Sequence, residues 1–161
     1  MPATYEKIAT TTLGSATNTV TFTSIASTYT DIRLIYAGNN SVNSTAYLQV
    51  GNGSVDTGNN YSFTYLYGSG AAASSGRSSN SNSIFLTDLR TGGSMVDINI
   101  FSYAGSTYKT ILATGGDADV DVNSSVGLWR NTSAINYVSI FTTTGNFTVG
   151  SMFTLYGILK A

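Results

Sequence analysis

The chain has 161 residues, a length typical of one domain, and we expect a single domain over 1–161. Seven Lys and Arg stand against eight Asp and Glu, and only 9% of the residues are charged, against about 25% in ordinary soluble domains. Such a chain lacks the basic field that binds nucleic acid or an anionic membrane, so we expect neither partner. With no Cys and no His, disulfides, Cys/His zinc sites and imidazole bases are excluded, and we expect no cofactor.

The polar residues are mostly small and uncharged. Thr, Ser and Asn number 24, 22 and 14, while the chain also holds 11 Tyr and 7 Phe. Thr, Tyr, Phe, Val and Ile favour strands, whereas Gly, Ser and Asn favour turns. Residues with high helix propensity are scarce. The composition therefore predicts an all-β protein.

Short apolar or alternating segments between turn clusters predict ten strands in chain order. They cover 18–25, 29–37, 45–50, 61–67, 83–86, 95–103, 108–113, 125–130, 135–142 and 151–159. In 61–67 every second residue is aromatic, which places these rings on one face. No helical periodicity is present, and parallel strands need long crossovers that are usually helical. We predict an antiparallel β-sandwich of the jelly-roll type, favoured over a closed barrel.

Two of the segments outside the predicted strands are candidates for contact with a partner. Residues 68–82 read GSGAAASSGRSSNSN, and these small side chains predict a long flexible loop with Arg77 as its one charge. We expect this loop to contact a neighbouring subunit or another protein of the same assembly, or else to be a mobile surface. Residues 1–13, which include Tyr5, are expected to form an extended arm across the same neighbour.

The acidic run around Asp117, Asp119 and Asp121 is the densest group of oxygen ligands in the sequence. Carboxylates at a spacing of two are one feature of calcium loops. The helix-loop-helix pattern fails, because its glycine position is Val122 and its glutamate position is Leu128. The hypothesis of a metal site at these residues therefore has an alternative. In that alternative they are the solvent-exposed start of a strand, and their charges protect a sheet edge from pairing.

The sequence does not favour an enzyme. Glycoside hydrolysis by paired carboxylates is the mechanism that the residue types still permit, but seven Asp and one Glu form no recognisable motif.

The segment GLWRNT is interpreted as a structural turn, with Gly127 permitting the turn and Trp129 in the core with Arg130 at its edge. A ligand platform at Trp129 is the alternative.

Five segments, in this order, resemble a family of small tailed-phage virion proteins found in cyanophages and other aquatic phages. They are TYEKIATTTLGSATNTVTFTSIASTYTDIRLIYAG near the start, GNNYSFTYLYGSGAAASSGRSSN, VDINIFSYA, VGLWRNTSAIN and FTLYGI near the end. The resemblance spans nearly the whole chain. It implies a structural or tail-associated protein of the virion and supplies no catalytic residue.

From this resemblance and the low charge we expect a non-enzymatic capsid decoration (cement) protein bound to the major capsid protein, on the outside of the head shell. The alternative is a tail-fibre or adhesin module that binds a host-surface glycan, because Tyr-rich, weakly charged surfaces suit either partner. We expect a homo-oligomer, with a trimer favoured and a dimer as the alternative.

Overall fold

The structure, a computed structural model, describes residues 5–159. These residues form no helix and twelve strands: β1 Tyr5–Thr12, β2 Thr19–Phe22, β3 Asp31–Gly38, β4 Ser44–Gly51, β5 Tyr61–Gly68, β6 Ala73–Ser81, β7 Ile84–Leu89, β8 Ser94–Ile100, β9 Lys109–Asp117, β10 Asp121–Trp129, β11 Tyr137–Thr142 and β12 Met152–Ile158. The predicted all-β fold is confirmed. Over the same residues there is no helix long and apolar enough to cross a membrane.

The strands form two antiparallel sheets that pack face to face as a sandwich. The large sheet has eight strands in the order β1-β12-β3-β8-β9-β10-β5-β6, and the small sheet has four in the order β2-β11-β4-β7. Buried and exposed residues alternate along β3, β8, β9 and β10, because one face of each strand meets the small sheet and the other meets solvent. The sandwich is therefore confirmed, and its jelly-roll subtype stays a prediction, as does the single-domain extent over 1–161.

Two glycines allow β7 to lie close against the large sheet. A Cβ at Gly127 on β10 would lie 2.6 Å from Cγ2 of Ile84, and one at Gly115 on β9 would lie 3.0 Å from Cβ of Thr87. Both distances are too short for a side chain at the glycine position. Gly127 therefore lies inside a strand and provides space between the sheets, and the expectation that it forms a turn is wrong.

Apolar side chains from both sheets form one buried cluster. Trp129 belongs to this cluster and is only 1% exposed, which confirms the expected core position. Its indole Nε1 donates a hydrogen bond of 2.8 Å to Oδ2 of Asp56. Arg130 donates to the carbonyl oxygen of Asn59 at 2.7 Å and to Oδ1 of Asn80 at 3.0 Å, and so links the loop before β5 to the end of β6.

The prediction of a loop over 68–82 is wrong for most of that segment. Only the turn 69–72 separates β5 from β6, and Gly70 has a φ of 76° there. Strand β6 then pairs along β5 from Ala73 onwards. Its backbone hydrogen bonds need no apolar side chains, and the ring of Tyr65 on β5 lies over Gly76, within 2.8 Å of where a Cβ would be. A strand of small residues is thus held by its neighbour rather than by its own burial.

The expected arm over 1–13 is extended, but it pairs within its own chain. Residues 5–12 form β1, which is antiparallel to β12 with a bulge between Lys7 and Ala9. Residues 1–4 lie outside the described residues. The ten predicted strands coincide with β2–β5 and β7–β12, so β1 and β6, the two edges of the large sheet, are the strands that the sequence pattern did not indicate.

Candidate functional site

The outward face of the large sheet is broad and rich in exposed apolar side chains. Six of them, which we call the outer apolar face, are 37–64% exposed: Leu66, Met95, Leu112, Val122, Val126 and Met152. The strand register places three of them close together. Val126 on β10 lies opposite Leu112 on β9. Ser124, two residues before Val126 and on the same face of β10, lies opposite Leu66 on β5. An apolar area of this kind marks a surface for contact with another molecule.

Two charged side chains on the outward face of the large sheet neutralise each other. Arg33 on β3 and Asp97 on β8 form a bidentate ion pair, with Nε donating to Oδ1 at 2.7 Å and Nη2 donating to Oδ2. The Arg33 guanidinium also lies 5.9 Å from the ring centroid of Tyr5. Tyr5, predicted at an interface, is 48% exposed on the edge strand β1, where it packs edge-on against Tyr156. Its interface role stays a prediction.

A second feature, the aromatic row, runs across four strands and joins the outer side of the small sheet to the inward face of β5 in the large sheet. It consists of Phe141 on β11, Tyr47 on β4, Phe85 on β7, and Phe63 and Tyr65 on β5. Tyr47 and Phe141 stack with centroids 5.7 Å apart and an interplanar angle of 25°, and Tyr65 lies 4.4 Å from Phe85. Strand β5 thus extends past the edge of the small sheet and covers β7.

Polar groups surround this aromatic row in an open cleft of about 430 Å³, lined by Tyr47, Phe63, Ser78, Ser81, Asn82, Ser83, Phe141 and Thr143. Gln49, next along β4 on the same face, donates from Nε2 to the carbonyl oxygen of Asn82 at 2.9 Å. Burial, and then the nearby charge of Asp88, raise the pKa of the Tyr47 phenol. The phenol therefore stays protonated at neutral pH and can donate a hydrogen bond.

The acidic run does not form a shared ligand set. Asp117 ends β9, and its Oδ1 accepts a hydrogen bond of 2.9 Å from the backbone N–H of Asp119 in the turn. Asp121 begins β10 with a fully buried side chain that pairs with Arg90. Within residues 5–159, no three acidic side chains come together in a group that fits a metal ion. Asp117 instead caps a hairpin turn, and the buried Asp121 pairs with the partly exposed Arg90.

Arg77, the other residue predicted at an interface, lies exposed on β6 opposite Thr64. It lines a shallow cleft of about 500 Å³ together with Thr64, Val126 and Leu128. This cleft adjoins the outer apolar face. The structure thus brings Arg77 close to Val126 but leaves it on the opposite edge of the sheet from Tyr5.

Sequence reasoning missed a polar network between the two sheets. Arg90 donates to Asp121, and Asn123 donates from Nδ2 to Oδ1 of Asp121 at 3.1 Å and to Oγ1 of Thr87 at 3.3 Å. Oδ1 of Asn123 and Oγ of Ser125 are buried without a hydrogen-bond partner. The signal was available, because the alternation in β10 places Asp121, Asn123 and Ser125 on the same inward face as Trp129.

Comparisons with known proteins give little support for a family. No family model and no curated protein matches the chain. Among solved structures, it is similar to CG-16, a homodimeric agglutinin from chicken liver, at 12% identity and a TM-score of 0.37, with 84% of this chain and 98% of that chain covered. A likeness this distant carries no argument about function.

Proposed function

We propose that this chain is a non-enzymatic structural protein of a tailed-phage virion that decorates the outside of the head by binding the major capsid protein. The sequence resemblance supports the virion assignment. The observation that supports a protein partner is the outer apolar face, on which Leu66, Val122 and Val126 are each more than half exposed. Covering such a face with a protein surface is favourable at about 25 cal/mol per Å² of apolar area removed from water.

The electrostatics of the face support the same proposal. Arg33 and Asp97 neutralise each other within the large sheet. A protein partner that covers this pair therefore does not have to desolvate two separate ions, which would be a polar cost of forming the interface. Copies bound over a repeating shell then add avidity.

A charge on the outer apolar face tests the capsid contact. We expect Val126→Asp to lose binding to head particles that lack this protein, because a carboxylate would be buried there without a partner. The matched control is Val149→Asp, since Val149 is 63% exposed in the loop between β11 and β12 and lies outside the strands of the large sheet. Equal binding of both variants and the parent, with unchanged melting temperatures, would contradict the proposed contact.

A second candidate function is glycan binding as part of a tail fibre or adhesin, and the aromatic row is the observation that favours it. Sugar rings pack on aromatic faces, and the cleft beside Tyr47 and Phe141 supplies amide and hydroxyl groups for the sugar hydroxyls. If this function holds, Tyr47→Ala should abolish binding of the purified chain to host-surface polysaccharide. Phe101→Ala, which alters an exposed ring after β8, should leave binding unchanged. Absence of binding by the parent chain counts against this candidate.

A further inference from the structure

The free edges of the two sheets differ in how they are protected. Exposed edge strands invite pairing with another chain, and native proteins prevent this with charges, bulges, short strands or covering segments. On β1, Glu6 and Lys7 provide charges and a bulge follows Lys7. The small-sheet edge β2 has only four residues. The other small-sheet edge, β7, is covered by Phe63 and Tyr65, whose rings lie against Phe85.

Strand β6 has no such protection over its first six residues. From Ala73 to Ser78 it pairs with β5 in unbroken register, and the register shift comes only beyond Ser78, towards the positive-φ residue Asn80. Arg77 is the one charged residue of the strand. In the described part of the chain β6 has a strand neighbour on one side only, so a row of backbone donors and acceptors faces outward.

We propose that β6 pairs with β6 of a second copy of this chain. The two strands run antiparallel about a two-fold axis at Gly76, so that the two eight-stranded sheets become one continuous sheet. The resulting unit is a dimer, which is the alternative to the trimer expected from the sequence. The contact goes beyond either proposed function, because it uses the edge of the large sheet and neither the outer apolar face nor the Tyr47 and Phe141 end of the aromatic row.

Steric fit sets the register of this pairing. The Tyr65 ring lies over Gly76, with Cε1 and Oη each 2.7 Å from where a Cβ would be. The hydroxyl end of the Tyr65 ring thus lies above the edge strand β6. If a second strand paired with β6, its side chain opposite Gly76 and on the same face would collide with this hydroxyl. Gly76 of a second copy has no side chain, so the two-fold at Gly76 leaves room for both rings.

The avoidance of like charges supports the same register. With Gly76 opposite its own copy, Arg77 lies opposite Ser75 of the second copy, and the two Arg77 side chains are offset diagonally. A shift by one residue in each strand would place Arg77 directly opposite Arg77, which is unfavourable. The occupant that best fits this edge is therefore the same strand of another copy.

A pair of charge variants of the full chain tests the contact by sedimentation velocity. Ser75→Lys places a cation opposite Arg77 of the second copy, whereas Ser75→Glu places an anion there; Ser75 is exposed, so both variants should fold. We expect Ser75→Lys to weaken dimerisation roughly tenfold and Ser75→Glu to strengthen it in a salt-sensitive way. A parent that stays monomeric, or a dimer that responds equally to both variants, would overturn the proposal.

Cross-linking gives an independent measurement, because the chain has no native cysteine. In the double variant Ser75→Cys/Arg77→Cys, each new thiol faces a thiol of the second copy, and oxidation should give a covalent dimer. The control Thr10→Cys/Thr12→Cys places the pair on the edge strand β1. Equal cross-linking of the two double variants would also overturn the proposal. Neither experiment uses virions or glycans, so its outcome is separate from that of the proposed functions.

Discussion

At the scale of single residues, Gly127 shows how one position sets the spacing of the two sheets. A side chain there would have to share the space of Ile84, which is fully buried on β7. Its neighbours on β10 alternate inward and outward without interruption. The glycine therefore contributes through the volume that it leaves empty rather than through its backbone freedom.

We predict that Gly127→Ala lowers the free energy of unfolding by about 1–3 kcal/mol, the usual range for overpacking a well-filled core. The control is Gly14→Ala, because a Cβ at Gly14 would meet nothing within 4 Å. Urea unfolding of both variants measures the difference. Equal midpoints would show that the sheets do not approach as closely as described.

Asp56 is the residue that connects the core tryptophan to a surface loop. Burial alone would raise the pKa of its carboxyl, but hydrogen bonds from Trp129, Asn60 and the backbone N–H of Gly58 outweigh burial and lower it. Since the folded pKa lies below the unfolded one, near 3.9, the unfolded chain takes up the proton first as pH falls. The charged form thus stabilises the fold above that pH.

We therefore predict a pH-dependent difference between the parent chain and Asp56→Asn, an isosteric variant without the charge. The parent should be the more stable at neutral pH, and its advantage should shrink as pH falls through the lowered pKa of Asp56. Urea unfolding followed by Trp129 fluorescence at several pH values measures this. A difference that stays constant from neutral to strongly acidic pH would contradict the role of the carboxylate.

At the scale of elements, the sequence pattern predicted the strands that bury apolar side chains and missed those that do not. Strands β6 and β1 lie at sheet edges, where backbone pairing with β5 or β12 holds residues that have little periodicity of their own. Part of the aromatic row was visible in the alternation of β5. The rest was not, because Tyr47, Phe85 and Phe141 meet only through the register of distant strands.

The contact between the end of β7 and the start of β10 depends on a buried ion pair. The Asp121 side chain is fully buried, and Arg90 also lies 3.7 Å from Asp88. Removing one partner leaves a buried charge uncompensated, whereas removing both does not. Arg90 and Asp121 should therefore be strongly coupled.

We predict that Arg90→Met alone costs about 3–5 kcal/mol of stability and that Arg90→Met/Asp121→Asn costs clearly less than the sum of the two single changes. A double-mutant cycle by urea unfolding gives the coupling energy. If the losses of stability in the two single variants add up in the double variant, Arg90 does not stabilise the buried Asp121 side chain.

At the scale of the whole molecule, the sandwich presents two different surfaces with little charge. The outer apolar face lies on the large sheet, and Phe141 and Tyr47 of the aromatic row lie on the outer side of the small sheet. A protein decorating a shell by the first surface would leave the second exposed to the surroundings. The same fold can thus hold a capsid contact on one side and a polar, aromatic surface on the other.

Under the proposed function this chain is part of a tailed-phage particle, and electron cryo-microscopy of that particle tests the claim most directly. We predict many copies of the two-sheet fold on the outside of the head, with Leu66, Val122 and Val126 of the large sheet against the major capsid protein. Copies found at the tail alone, or bound to the head with this face open to solvent, would contradict it.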